Sequence, residues 1–322
     1  MPLALKSLIL LAACLAALWG WTQHRARGHE ARAEAAFPPE GQIITVQDHP
    51  VHAVVMGEGP DLVLIHGASG NTRDMTFDLA PRLAQDYRVI VLDRPGLGYT
   101  PRINRTGATI TQQAALLQEA AAQLGADKPI VLGHSYGGAV ALAWAVTKPD
   151  HIAALVDVAG AAKPWDTGLS TYYRVLSHPV LGPLVIPLIT AFVPDSRVEQ
   201  AVQEIFTPQE PPAGYMDHIG AGLTLRRHSL RANALQRANL LDEIEALHTR
   251  YAEISVPVEI VHGTADTTVG VSIHSEPLAA QVKDAHLTVL DGVGHMPHHS
   301  APEAVVSAIN RAATRAGLRP AD

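Results

Sequence analysis

In Ile130-Val131-Leu132-Gly133-His134-Ser135-Tyr136-Gly137 an unbroken apolar run gives way to a serine with a glycine two positions away on either side. The helix-forming stretch Ala139 to Val146 follows directly. Side chains two positions from a serine on so sharp a turn would collide, and glycine has none. The pattern predicts a buried strand, a tight turn that lifts the Ser135 hydroxyl out of the sheet edge, and a helix whose N-terminus backs that hydroxyl.

Working outward, the same apolar signature recurs in Leu62 to Ile65, Val89 to Leu92, Ala154 to Val158, Val258 to Val261 and Leu287 to Leu290. Runs without polar alternation are strands buried on both faces, which means a parallel sheet covered by helices. Ile43 to Val46 and Val51 to Met56, parted by a polar Gln47 to Pro50 turn, read as an opening hairpin. Between the strands lie helical stretches such as Thr111 to Leu124, with a threonine at the start and Gly125 as stop. The expectation is an α/β fold with a doubly wound, mostly parallel sheet. Its core spans residues 42–162 and 256–322. The alternation fails only across 163–255, where a helical cap is expected before the last two strands. Within it, Pro183 and Pro187 are expected to break the apolar Val180 to Phe192 into short segments. Trp165, Tyr172, Tyr173 and Tyr215 are read as core packing, and Arg226 and Arg227 as solvated surface.

The chain has 322 residues, 47% of them hydrophobic and 17% charged, so there is ample apolar material for a large core and disorder is excluded. A net charge of -7, with Lys and Arg scattered, leaves no footprint for a polyanion, and nucleic acid is excluded as a partner. The single cysteine, Cys14, lies in the apolar N-terminus, which removes disulfides, thiolate metal sites and a cysteine nucleophile together. That N-terminus runs apolar from Leu8 to Trp21, ends on Trp19 and Trp21, and then turns basic at Arg25, Arg27 and Arg32. Residues 1–22 therefore read as a membrane anchor or a signal segment, with lipidation at Cys14 as an alternative, and 23–41 as a linker. The side of the membrane stays open, an exported or periplasmic face included, and so does the oligomeric state.

A serine hydroxyl is a weak nucleophile until a base takes its proton, and that base needs a carboxylate to fix its tautomer. Among 17 histidines, position selects. Asp266 follows one strand in His262-Gly263-Thr264-Ala265-Asp266, and His295 follows the last in Gly292-Val293-Gly294-His295. Both stand at carboxyl ends of strands, where open α/β sheets place their sites. Asp157, on the strand before the cap, is the rival acid.

With His66-Gly67-Ala68-Ser69 after the third strand and Asp93-Arg94-Pro95-Gly96-Leu97-Gly98 after the fourth, the chain resembles the α/β-hydrolase superfamily from about residue 42 to 316. The resemblance implies nucleophile Ser135, acid Asp266, base His295, and an oxyanion hole from the backbone N–H groups of Ala68 and Tyr136. It also implies a serine hydrolase acting through an acyl-enzyme, with a carboxylic ester of apolar or amphipathic character as substrate and no cofactor. C–C bond hydrolysis, thioester hydrolysis and cofactor-free perhydrolysis use the same three residues, and a non-catalytic receptor or scaffold is the reading from another class. Asp93, His66 and His134 are expected to be structural. The run His295-Met296-Pro297-His298-His299 is not expected to hold a metal, because Pro297 breaks any shared helical face and no carboxylate or thiol accompanies it.

Overall fold

The apolar runs do form strands, and they lie side by side. The computed structural model describes residues 2–320; Met1 at the start of the expected anchor, and Ala321 and Asp322 at the end of the expected core, lie outside the described residues. β1 (Gln42–Val46), β2 (His49–Met56), β3 (Asp61–Ile65), β4 (Arg88–Leu92), β5 (Ile130–His134), β6 (Ala154–Val158), β7 (Val258–Gly263) and β8 (Ala285–Leu290) build one sheet in the order β1-β2-β4-β3-β5-β6-β7-β8. The β1–β2 and β2–β4 pairs are antiparallel, and every later pair is parallel. The opening hairpin turns on two residues rather than four. Gln47 and Asp48 have φ of 48° and 66°, the two left-handed residues that a type I′ turn requires.

Residue alternation sorts the sheet into two cores. Val63, Ile65, Ile90, Leu92 and Val131 face one apolar cluster, while Leu62, Leu64, Val89, Val91 and Leu132 face the other. The helices before the cap region are α1 (Leu3–Ala36), α2 (Thr72–Thr76), α3 (Leu79–Leu83), α4 (Ile110–Gln123) and α5 (Tyr136–Thr147). Thr109, not Thr111, caps α4, sharing a reciprocal capping box with Gln112. Between β6 and β7 come α6 (Thr171–Ser177), α7 (Leu181–Phe192), α8 (Asp195–Phe206), α9 (Tyr215–Ile219), α10 (Ala221–Thr224) and α11 (Arg227–Leu247). α12 (Ser275–Gln281), α13 (Pro297–Ser300) and α14 (Pro302–Arg315) complete the chain. α4 and α5 cover the first core, and α3 and α14 the second.

Two expectations fail here. Pro183 and Pro187 do not break Val180 to Phe192, because α7 runs through both. Pro183 sits in the first turn, where its missing N–H has no helical acceptor to lose, and the bond Pro187 gives up would have gone to the carbonyl of Pro183. The chain breaks earlier, with a bend of 110° between α6 and α7.

Nor is 23–41 a linker along its length, since α1 continues unbroken to Ala36. Its first part, residues 2–21, is exposed throughout, and α1 is long and apolar enough to cross a membrane. From Thr22 onward the helix lies on the inserted helices, with Thr22, Ala26 and Ala33 buried. Two of its carboxylates are paired with arginines at the start of α11. Glu30 takes a forked pair of bonds from Arg227 at 2.8 and 2.6 Å, and Glu34 pairs with Arg226 at 3.0 Å. Arg226, expected at the surface, is only 2% exposed and also donates to the carbonyls of Leu223 and Gly98.

Candidate active site

Ser135 connects β5 to α5 with φ of 53° and ψ of -116°, a conformation that a non-glycine residue holds only when its surroundings impose it. The glycines make those surroundings possible. A Cβ on Gly133 would lie 2.1 Å from the carbonyl oxygen of Gly137, and one on Gly137 would lie 2.3 Å from that of Ile65 on β3. The elbow therefore packs onto itself and onto the neighbouring strand at once.

The loops after β7 and β8 are laced together by backbone bonds from Thr264 to Leu290 and from Ala265 to Val293, each 2.9 Å. That lacing brings Asp266 to His295. His295 Nδ1 donates to Asp266 Oδ2 at 2.7 Å, which leaves Nε2 to accept the Ser135 hydroxyl at 2.9 Å. Asp266 Oδ1 accepts the backbone N–H groups of Thr268 and Val269 at 2.8 and 2.9 Å. Burial alone would raise its carboxyl. Hydrogen bonds from His262 and His295 outweigh that and hold it well below the usual carboxylate range, so it is ionised at neutral pH.

His262 escaped the sequence reading, although it opens the motif quoted for Asp266. Its Nε2–H is shared between the Val269 carbonyl at 2.7 Å and Asp266 Oδ2 at 3.0 Å, while Nδ1 accepts from Ser275 Oγ at 2.6 Å. It fixes the same carboxylate oxygen that faces His295. Asp157 stays apart: neither of its carboxylate oxygens finds a hydrogen-bonding side chain among the described residues. Gly138 and Gly160 press on it, and burial pushes it up to about 7.

Ala68 lies in the loop after β3, and Tyr136 is the first residue of α5, whose N–H has no partner inside the helix. That loop is held from below by Arg94, fully buried, which donates to the carbonyls of His66 at 3.0 Å and Gly67 at 2.8 Å. The same guanidinium reaches Gln113 and Gln236, both at 3.0 Å, and lies 4.3 Å from the Tyr136 ring centroid. From above, Asn233 of α11 bonds both the N–H and the hydroxyl of Ser69, at 2.9 and 2.8 Å. Arg94 sits in a quoted motif, whereas Asn233 carries no local signal.

The residues expected to be structural are each held in buried hydrogen bonds. Asp93 accepts from Tyr99 in its own turn at 2.8 Å, and from Thr72 and His52 at 2.7 and 2.6 Å. His66 donates to the Gly67 carbonyl and accepts from the Arg94 N–H, and burial lowers it to about 4. His134 Nε2 donates to the His295 carbonyl at 2.9 Å.

A carboxylate does accompany His298 and His299, brought to them by the fold. Asp74 of α2 receives His299 Nε2 at 2.9 Å, His298 Nε2 at 3.4 Å and the Tyr215 hydroxyl at 2.7 Å, a buried group that could hold a metal ion. It ties α13, just after His295, to α2 and α9.

Above Ser135 and His295 opens a cavity of about 580 Å³ with largely apolar walls, among them Ile189, Val193, Val202, Leu225 and Leu230. Tyr172 and Tyr173, expected in the core, are part of that wall; Tyr215 touches it too but is buried in a core cluster with Phe206 and Met296 as expected, and Trp165 does not line the cavity. Ala68 and Tyr136 line it beside the serine.

Comparison with known proteins agrees with this architecture. The model of the alpha/beta hydrolase family matches residues 62–308. A pimeloyl-[acyl-carrier protein] methyl ester esterase of Neisseria meningitidis is 32% identical over 266 residues, covering 81% of this chain and 96% of that protein. Among solved structures, a thermophilic esterase from Thermogutta terrifontis superposes with a TM-score of 0.69 at 22% identity, covering 86% of this chain and 99% of that one. A bacterial membrane phospholipase A superposes with a TM-score of 0.63 at 20% identity, over 99% of both chains.

Proposed function

The chain belongs to the alpha/beta hydrolase family, and on that premise we propose that it is a membrane-anchored serine esterase acting on carboxylic esters with an apolar acyl or alcohol group. One observation carries the reading. Ser135 and His295, at the wall of an apolar cavity, stand in a relay with Asp266 behind them, at 2.9 and 2.7 Å.

In this mechanism the ester carbonyl sits against Ser135. His295 Nε2 takes the hydroxyl proton as Oγ attacks the carbonyl carbon, and Asp266 stabilises the imidazolium that forms. The Ala68 and Tyr136 N–H groups receive the charge on the carbonyl oxygen, where removing one such donor costs about 3 to 4 kcal/mol. His295 then gives its proton to the alcohol as the C–O bond breaks. Water, deprotonated by the same Nε2, attacks the acyl-serine, the C–Oγ bond breaks as the imidazolium returns its proton to Ser135 Oγ, and the acid departs.

Arg94 and Asn233 are positioning residues that hold the Ala68 loop from opposite sides. The inserted helices act as the cap, and their apolar lining excludes water and strengthens the donors. The meningococcal relative is named for a methyl ester, which supports an ester in preference to the other substrates open to these residues. The exposed apolar segment Leu3 to Trp21, ending on two tryptophans and followed by Arg25 and Arg27, supports the anchor.

A series of p-nitrophenyl esters from acetate to dodecanoate tests the substrate class. kcat/KM is expected to rise with each methylene, by up to about 0.8 kcal/mol, until the cavity is filled. A flat profile, or a preference for charged acyl groups, would overturn the apolar-substrate reading.

A further inference from the structure

The face of α7 that points away from the cavity is apolar and uncovered. Val180, Leu181, Leu184, Leu188 and Phe192 are 61, 44, 50, 43 and 42% exposed, and the last four recur every three to four residues along one side of the helix. From Pro179 to Val193 there is no charged residue. The only polar side chain there, Thr190, is buried and donates to the Leu225 carbonyl at 2.7 Å. A stripe of this kind is seldom left to water.

Its position says what covers it. α1 leaves the body of the protein between Trp21, which is exposed, and Thr22, which is buried. At that point the Trp21 ring packs on Phe192 at 5.3 Å, the Arg25 guanidinium lies over both rings, and Arg25 Nε donates to the Ala191 carbonyl at 3.2 Å. The stripe therefore starts at the root of the anchor, where tryptophan and arginine sit at a bilayer boundary. The opposite face of the same helices looks inward: Ile189 and Val193 line the cavity, and so does Tyr172 of α6, which is itself 48% exposed and marks a way in.

We infer that the exposed face of α7 lies in the membrane interface beside the anchor, and that the enzyme draws lipid esters into its cavity from the bilayer past α6 and α7. The inference rests on the anchored-esterase reading and adds to it a second membrane contact and a substrate class. An acyl chain taken up by this route moves from one apolar surface to another without crossing water. A helix that lies flat with its apolar side in the headgroup region contacts the membrane in this way.

The test uses the full-length chain in phosphatidylcholine vesicles, with Cys14→Ala as background and an environment-sensitive dye on Leu184→Cys or, as control, on the exposed Glu199→Cys of α8. The dye at 184 is expected to shift to the blue and to be quenched by brominated lipid, and the dye at 199 to do neither. In parallel, Leu184→Glu/Leu188→Glu is expected to slow hydrolysis of a diacyl phospholipid held in the vesicles by about tenfold or more, while a soluble p-nitrophenyl butyrate is turned over as before. A dye at 184 that stays in water while the protein resists carbonate extraction overturns the inference and leaves the anchor standing. A blue shift without lipid quenching, together with cross-linking between two copies at 184, overturns it in favour of a dimer face. Release of the protein by carbonate removes the anchor and this inference together.

Discussion

Asp266→Asn is the substitution whose consequence can be worked furthest from the geometry. Asn can keep its oxygen on the Thr268 and Val269 N–H groups, which bond Oδ1 at 2.8 and 2.9 Å. An NH2 then replaces the oxygen that His295 Nδ1 approaches at 2.7 Å. To avoid donor facing donor, His295 must carry its proton on Nε2, and it can no longer accept from Ser135. The expected loss in kcat is about 10⁴, roughly 5 kcal/mol of transition-state stabilisation. KM should change little, because Asp266 does not line the cavity. His262 Nε2–H, 3.0 Å from the same oxygen, also meets the NH2, at a cost of about 1–3 kcal/mol in stability. Steady-state kinetics on p-nitrophenyl butyrate, with circular dichroism to verify folding, measure both effects. A folded variant within tenfold of wild-type kcat would refute the relay, as would a larger loss in Asp157→Asn.

Asp157→Asn has its own signature, in stability. Its carboxyl is raised from 3.8 to about 7, so the wild type has its full stability below the lower value and loses it as pH rises toward and past the upper one. The Asn variant escapes that loss, and thermal unfolding should show its advantage growing from about pH 4 to 7 and then levelling off, by at most about 4 kcal/mol. An advantage that does not change with pH would mean that Asp157 is not the buried acid described. Truncation separates the two parts of α1. A chain beginning at Thr22 should be soluble and as stable as the whole, whereas one beginning at Phe37 loses the partners of Arg226 and Arg227 and should melt roughly 5 °C or more lower. Equal melting temperatures would show that the Glu30 and Glu34 contacts contribute nothing.

Much of this molecule is local in its sequence, and that part was legible. The inner parallel strands announce themselves by apolar runs, because burial on both faces removes the polar alternation, whereas β8, at the sheet edge, has an apolar run without being buried on both faces. Ser135, Asp266 and His295 are found by asking what stands just after a strand, since the parallel sheet gathers those ends at one edge. What escaped depends on partners far along the chain. Residues 23–36 look like a linker because they are charged and alanine-rich, and only the pairing of Glu30 and Glu34 with Arg227 and Arg226 turns them into a packed helix. Arg226 read as surface for the same reason. Asp74 meets His298 and His299 across more than 200 residues of sequence. The prolines of α7 misled in another way, since the rule that proline breaks helices assumes a hydrogen bond to lose: Pro183, in the first turn, loses none, and Pro187 loses only the one to the Pro183 carbonyl.

Everything proposed for this site requires Ser135 to be a nucleophile activated by His295. Treating the full-length protein with a fluorophosphonate, digesting it and locating the adduct by mass spectrometry tests that directly. A single phosphonylated site at Ser135 is predicted, with no adduct in Ser135→Ala and one formed far more slowly in His295→Ala. Labelling of Ser135→Ala at the wild-type rate, or an adduct on Ser69 or Ser229 in the same cavity, would contradict it.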